Sequence, residues 1–473
     1  MRGVNLSLDK QLEESYYVQI YKEIKYKILT NQIKSGDKLP SIRQLALRLG
    51  VNQNTIIQSY NLLEEKGFVK KIPGKGCYVN KNCDLNVDKK ELPLMESYRY
   101  GHISYDDRIN FYNGTPPSRY FPVDDYLEIS KKIINNYGGD IFQYQNIQGV
   151  ESLREVLAEE FEKDDIFVEK DRIQITTGTQ QCLDVIIKIF SKNRKPSVAV
   201  SNPTYPNALN ILNGQCNLIT VDLEDDGWDL EEFEKQLKKE KIDFMYEVIN
   251  YQNPTGISWS IEKRKKILEL AEKYDFYIIE DDSFSEFYYF GTKPKSLKSL
   301  EKIGKEKVIY IKTFSKILMP GIGIAAMVVP EELLVKSLLV KYGVDTTTSG
   351  LNQKILEFII RDGVLSEHLS MTRALFKQKY DLILKELSEI PELKIIYKPK
   401  GGFFIWIELS DKIDSEEFYK KCKAKGVLLL PGIIFSKDGE SISKIRLSFV
   451  NPSLEDIRLG MNLIKEVISD FYN

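Results

Sequence analysis

Four short stretches of this sequence place a reactive or polar side chain directly after an apolar run. "VIYIKTFSK" delivers a primary amine, Lys316, and "FYIIEDDSF" delivers three carboxylates, Glu280, Asp281 and Asp282. "FMYEVINYQNPTG" runs into a Pro-Thr-Gly turn that presents the amide of Asn253. "RIQITTGTQQCLDVIIKIF" passes through Gly178, Thr179 and Gln180 into an apolar-faced helix. A helix start offers free backbone N–H groups and the positive end of a dipole, which suit a phosphate. An amine seeks a carbonyl carbon, and a carboxylate keeps a ring nitrogen protonated and electron-withdrawing. Amine, acid, amide and phosphate cradle together fit pyridoxal 5′-phosphate. A buried lysine without such a partner would lose its charge or be driven out, so packing alone is the poorer account of Lys316.

These groups need a scaffold that brings them together. From about residue 110 onward, short β-branched runs alternate with amphipathic helices, which predicts a mostly parallel sheet flanked by helices. Ile173 and Ile175 mark one strand, and Leu183, Ile186, Ile187 and Phe190 mark one face of the helix that follows. Ligands of such sheets gather at the carboxyl ends of the strands, where all four stretches terminate. At 473 residues the chain exceeds one core, and two or three domains are expected. Lys and Arg (67) nearly balance Asp and Glu (69), but residues 1–80 carry 13 basic against 7 acidic side chains. A basic end on an acidic body points to a polyanion contact confined to the N-terminal part.

Five scattered cysteines (Cys77, Cys83, Cys182, Cys216, Cys422) and two histidines (His102, His368) supply neither a metal site nor a Cys/His or Ser/His nucleophile. No apolar run reaches membrane-spanning length and the N-terminus lacks a signal-peptide core, so a reduced, cytoplasmic protein is expected.

In the first eighty residues, Ile20, Ile24 and Ile28 stripe a first helix. Ser41 and Gln44 have capping-box spacing ahead of a second, and Asn52 can cap a third. Ile56, Tyr60 and Leu63 turn inward on that third helix, leaving Gln53, Asn54, Ile57, Gln58 and Asn61 outward. "FVKKIPGKGCYV" reads as two strands around a Gly-Lys-Gly tip. The reading is a winged helix-turn-helix: the exposed amides suit base edges, and Lys70, Lys71 and Lys75 suit phosphates. "KLPSIRQLALRLGVNQNTIIQSYNLLEEKGFVKKIPGKGCYV" closely resembles the DNA-binding domain of GntR-type bacterial regulators. That resemblance implies Ser41, Arg43, Asn54 and Thr55 near the DNA backbone or bases, with Gly76 at the wing tip; the outward amide of Gln53 and the wing Lys75 complete the expected contacts to double-stranded DNA. Gln53 stands where the family usually has arginine.

The remainder resembles fold-type-I aminotransferases through "YQNIQGVESLREVLAEEF", "TTGTQQCLD", "NPTYP", "NPTG", "IEDD", "TFSK" and "RLSFV". With its N-terminal part, the whole chain looks like the MocR subfamily of GntR regulators. The expected organisation is a winged helix-turn-helix over 1–80, a linker over 81–108 and an α/β aminotransferase-like body over 109–473. The body's large domain would span about 140–345, with a small domain mainly C-terminal. The resemblance implies that Lys316 forms the internal aldimine of pyridoxal phosphate, Asp281 pairs with the ring nitrogen, Asn253 bonds the ring hydroxyl and Tyr205 stacks on the ring. Gly178, Thr179, Gln180 and Ser315 would hold the phosphate, with Tyr144 reaching it from a partner subunit. Arg446 would bind a carboxylate of the effector or substrate. A homodimer that exchanges N-terminal domains, an operator and a small amine or amino-acid effector complete the expectation.

The chain departs from that pattern. Gly323 replaces the arginine that usually completes the phosphate site, and Ser283 replaces a tyrosine near the ring hydroxyl. Lys312 replaces a small residue and is expected to supply part of the missing phosphate charge. The leading reading is a transcription regulator that senses an amino compound or the cofactor itself. The rivals are a working aminotransferase, which "KPKGGFFIWIEL" favours through its likeness to aminoadipate-type enzymes, and a cofactor-free dimer scaffold.

Overall fold

A computed structural model of the chain describes residues 15–29, 33, 36–72, 75–80, 109–191, 194–302, 304–437 and 443–472. The chain divides into two compact units, Met1–His102 and Ile103–Asn473. The expected linker over 81–108, together with Cys83 and His102, lies outside the described residues.

In the first unit, helices α1 (Tyr16–Leu29), α2 (Ile42–Leu49) and α3 (Gln53–Glu65) precede an antiparallel hairpin of β1 (Val69–Ile72) and β2 (Gly76–Val79). Ile20, Ile24, Leu45, Ile56, Tyr60 and Leu63 fill one core. Ser41 and Gln44 close the capping box of α2, and the Asn52 side chain accepts from the Asn54 N–H at the start of α3. The Tyr60 hydroxyl donates to the Pro40 carbonyl at 2.8 Å and ties α3 to the entry of α2.

The second unit is built on an eight-stranded sheet. Its strands are β4 (Ile173–Thr176), β5 (Ser197–Asn202), β6 (Asn217–Glu224), β7 (Gly227–Trp228), β8 (Phe244–Glu247), β9 (Tyr277–Asp282), β10 (Val308–Thr313) and β11 (Ala325–Val328), in the order β4-β11-β10-β9-β8-β5-β6-β7. β6, β5, β8, β9 and β10 run parallel. β11 is antiparallel to both β10 and β4, so β4 regains the direction of the central strands. The carboxyl ends of β4, β5, β8, β9 and β10 therefore share one edge. β4, β8 and β10 are buried along their whole length, as expected of strands covered on both faces.

A smaller antiparallel sheet holds β12 (Leu393–Ile395), β13 (Phe404–Leu409), β15 (Leu430–Pro431) and β16 (Lys444–Ser448), ordered β12-β13-β16-β15. Where the described chain resumes, β3 (Ile109–Asn110) pairs with β14 (Val427–Leu428) beside this sheet. The first described residues of the body are thus packed on its C-terminal part. Among the described residues, no helix is long and apolar enough to cross a membrane and no cluster of side chains is suited to a metal ion.

Candidate functional site

In the first unit the start of α3 presents Gln53 and Asn54 to solvent with Thr55 half-buried beside them, and Arg43 is exposed on α2. The Ser41 hydroxyl is held by its cap. Gly76 has φ +115°, a backbone conformation that residues with a Cβ rarely adopt, so the turn favours glycine. Lys70 and Lys75 are exposed on the wing. Lys71 differs from expectation. Its ammonium lies 3.1 Å from Glu64 and bonds Asn61, so this cation and that amide are turned to each other across α3 and β1.

The body's site is assembled at the shared strand edge. Lys316 lies just beyond β10, Asp281 near the end of β9, Asn253 beyond β8, Tyr205 beyond β5, and Gly178 between β4 and the helix Thr179–Phe190. Residues paired across parallel strands face the same side. Tyr246 pairs with Ile279, two before Asp281, and its hydroxyl donates to Asp281 Oδ2 at 2.9 Å. Ser283 donates to Asp281 Oδ1 at 2.5 Å. Burial pushes the Asp281 carboxyl up to about 6, against the pull of these two donors and of Lys316.

Lys312 corrects an expectation. It pairs with Asp282, on the face opposite Asp281, and its ammonium sits 2.9 Å from both Asp282 Oδ2 and Glu286 Oε1. That charge is committed to buried Asp282 and half-buried Glu286 and supplies nothing to the phosphate cradle. Glu280 is also turned away, accepting the Leu297 and Lys298 N–H groups at 2.8 and 2.9 Å. Of the three consecutive acids, only Asp281 faces the site.

Lys316 is half-buried, and its amine donates to Thr115 Oγ1 at 2.8 Å. Burial, reinforced by the like charge of Arg446, brings its pKa down to about 8, while Asp281 opposes the shift. An amine so placed keeps an appreciable neutral, nucleophilic fraction near pH 7. Arg446 on β16 is buried. Its Nη1 donates to Asn253 Oδ1 at 2.8 Å and its Nη2 to the Tyr112 carbonyl at 2.5 Å, while Nε has no partner among the described residues. Phe404 lies under the guanidinium at 4.2 Å.

At the cradle, the N–H groups of Gln181 and Cys182 return to the Gly178 carbonyl, leaving Thr179 and Gln180 as the first-turn donors. Nothing lies within 4 Å of the point where Gly178 would carry a Cβ, so there is room above that turn. The same holds at Gly323, whose backbone is left-handed (φ +57°). Tyr205 is half-buried, its oxygen accepting from Asn207 at 3.0 Å, and Tyr144 is 79% exposed. An amine of lowered pKa, an inward carboxyl and open donors at a helix start share one strand edge, and the Arg446 guanidinium joins them from β16 through Asn253; this set fits pyridoxal phosphate.

Sequence reasoning missed Thr115, Tyr112, Tyr246 and Gln252. Thr115 and Lys316 are 201 residues apart, with no local signal linking them. Gln252 donates to the Pro203 carbonyl at 2.8 Å and accepts from the Thr255 N–H at 3.0 Å, so it joins the loops that carry Tyr205 and Asn253. Only its place beside Asn253 could have drawn attention to it.

Residues 109–462 match the aminotransferase class I and II family, and residues 16–79 match the bacterial regulatory proteins of the gntR family. The chain is similar to aromatic-amino-acid aminotransferase 1 of Thermococcus litoralis, at 34% identity over 78% of this chain and 89% of that one. It is also similar to the HTH-type transcriptional regulator YdfD of Bacillus subtilis, at 29% identity over 96% of this chain and 97% of that protein. Among solved structures, LysN, the α-aminoadipate aminotransferase of Thermus thermophilus complexed with N-(5′-phosphopyridoxyl)-L-leucine, superposes with a TM-score of 0.73. It is 29% identical, over 80% of this chain and 97% of that one.

Proposed function

From the premise that this chain belongs to the aminotransferase class I and II family, joined to a GntR-family DNA-binding domain as in MocR-type regulators, we propose that its body holds pyridoxal phosphate at Lys316 and reads a small amine or amino acid there. The cofactor itself is the alternative signal. The observation that carries this reading is half-buried Lys316, its amine held down to about 8, on the same strand edge as Asp281 and with Arg446 of β16 near enough to depress it.

Once bound, the cofactor supplies an aldehyde carbon open to amines and a ring that withdraws electrons when its nitrogen is protonated. The chain's own residues do the rest. Lys316 is the nucleophile, and Asp281 holds the ring nitrogen's proton. Asn253 and Tyr205 orient the ring. Gly178, Thr179, Gln180 and Ser315 take the phosphate, aided by Tyr144 from a second subunit, a role its 79% exposure in one chain supports. Arg446, with Nε unengaged, takes a carboxylate of the effector. Effector binding biases a homodimer between arrangements that space its two DNA readers differently, on an operator in the cytoplasm.

Similarity to the Thermococcus litoralis aminotransferase favours a second reading, a working transaminase with a DNA-binding attachment. Gly323 and Ser283 weigh against it, because repeated turnover requires firm cofactor retention. Pyridoxal phosphate added to the purified full-length chain tests the proposal: a visible absorbance band forms, and Lys316→Ala abolishes it. A colourless parent would leave a DNA reader on an inert scaffold. Steady keto-acid formation from an amino acid and 2-oxoglutarate would instead favour the enzyme.

A further inference from the structure

The four residues Tyr112–Thr115 touch both cationic groups of the site. The Tyr112 carbonyl accepts from Arg446 Nη2 at 2.5 Å, and the Thr115 hydroxyl accepts from Lys316 Nζ at 2.8 Å. This segment has little freedom to shift. The Asn110 side chain accepts from the Tyr112 and Asn113 N–H groups at 3.0 and 2.9 Å, and Ser448 N–H donates to the Phe111 carbonyl at 2.7 Å. A Cβ on Gly114 would lie 2.7 Å from the Phe404 ring, so the backbone there is pressed against the aromatic that underlies Arg446. Asn451 Nδ2 donates to the Thr115 carbonyl at 3.4 Å.

Thr115 thus sits on a fixed backbone with its hydroxyl turned to the amine rather than to a cap or turn of its own. We infer that Thr115 is a positioning residue for Lys316: by accepting one N–H it fixes where the amine nitrogen stands and favours its charged form. The assignment rests on Lys316 being the reactive amine of the proposed site. A hydroxyl oxygen accepts more strongly from an ammonium than from a neutral amine, so losing it favours the neutral form. The other charges that act on Lys316, Asp281 from β9 and Arg446 from β16, are unchanged by a substitution at 115.

The test uses the full-length chain freed of bound carbonyl compounds, the variants Thr115→Val and Thr115→Ser, and competitive acetylation of Lys316 read by mass spectrometry across pH. The parent is expected to titrate near 8. Thr115→Val, similar in shape and at a half-buried position, is expected to move the midpoint down by about one pH unit. Thr115→Ser should restore the parent midpoint. A Val variant that titrates like the parent, or a Ser variant that falls with it, overturns the assignment. The labelling requires no cofactor, so it can fail while the absorbance band forms, or succeed where that band does not.

Discussion

Asp281 and Asp282 are neighbours on one strand, yet their carboxyls face opposite sides of the sheet and titrate in opposite directions. Asp281 meets two neutral hydroxyls, Tyr246 and Ser283, and burial raises it to about 6. Asp282 meets the Lys312 ammonium at 2.9 Å and the Tyr310 and Ser285 hydroxyls at 2.6 and 2.8 Å, and these hold it well below the usual range despite equal burial. One carboxyl is paired with a cation inside the fold; the other is held by neutral hydroxyls alone among its hydrogen-bond donors in the described residues.

Asp281→Asn follows from that contrast. A carboxyl raised from 3.8 to about 6 in the fold stabilises the native state only while protonated, and that contribution is lost as pH rises through 6. Removing the charge is therefore expected to raise the melting temperature of the cofactor-free chain. The gain should grow between about pH 4 and 6 and then level off. The same variant should hold pyridoxal phosphate more weakly, since the ring nitrogen loses its acid. Thermal melts at several pH values, with and without cofactor, separate the two effects. A melting temperature no higher than the parent's at pH 7 would contradict the first.

Lys312→Met removes the only cation hydrogen-bonded to Asp282 among the described residues and leaves Glu286 with Lys293. Breaking a buried ion pair on one side costs about 3–5 kcal/mol, so a marked drop in denaturant midpoint is expected. The pH sign is fixed by the depressed carboxylates. Glu286, held down to about 2, contributes stability that is complete above the ordinary value of 4.5 and drains away as pH falls toward 2. The variant should lose much of that acid-side dependence. Its affinity for pyridoxal phosphate should match the parent's, because the ammonium points away from the cradle. A selective loss of cofactor affinity would revive the phosphate role that the sequence suggested for Lys312.

Local signals were strong where chemistry coincides with a strand end. Apolar runs into "TFSK", "IEDD", "NPTG" and "TTGTQQ" marked four positions of the candidate site, and helix caps at Ser41 and Asn52 marked the first unit. The facing of side chains was not legible. Which of Glu280, Asp281 and Asp282 points inward depends on the pairing of β9 with β8 and β10, and the same pairing sends Lys312 to the wrong face for phosphate. Thr115 and Tyr112 reach the site through contacts across hundreds of residues, where no spacing rule operates.

Gly323→Arg tests the departure at the phosphate end. A charge-assisted pair to the phosphate is worth about 2 kcal/mol, or roughly thirty-fold in affinity. The left-handed backbone at this residue (φ +57°) penalises any side chain by about 1–2 kcal/mol, but nothing lies within 4 Å of the new Cβ. That strain is present with and without cofactor. The expected outcome is tighter pyridoxal phosphate binding, measured by absorbance titration, together with a lower melting temperature of the free protein. Unchanged binding would mean that the cradle's N–H groups already meet the phosphate's needs.

The wing lysines differ in how free they are, and DNA binding should register the difference. Lys70 and Lys75 are exposed, whereas the Lys71 ammonium is engaged by Glu64 and Asn61. Each phosphate contact that is lost lowers the slope of log affinity against log salt by about 0.9. Lys75→Ala and Lys70→Ala should each weaken operator binding and flatten the salt dependence by about one such step. For Lys71→Ala the expected slope is that of the parent, with a small loss of stability from the broken surface pair. Fluorescence anisotropy on operator DNA at several salt concentrations measures all three. Equal slopes for the Lys71 and Lys75 variants would show that the Glu64 pairing gives way to a phosphate when DNA arrives, and that the unbound wing misreports its DNA-bound charge.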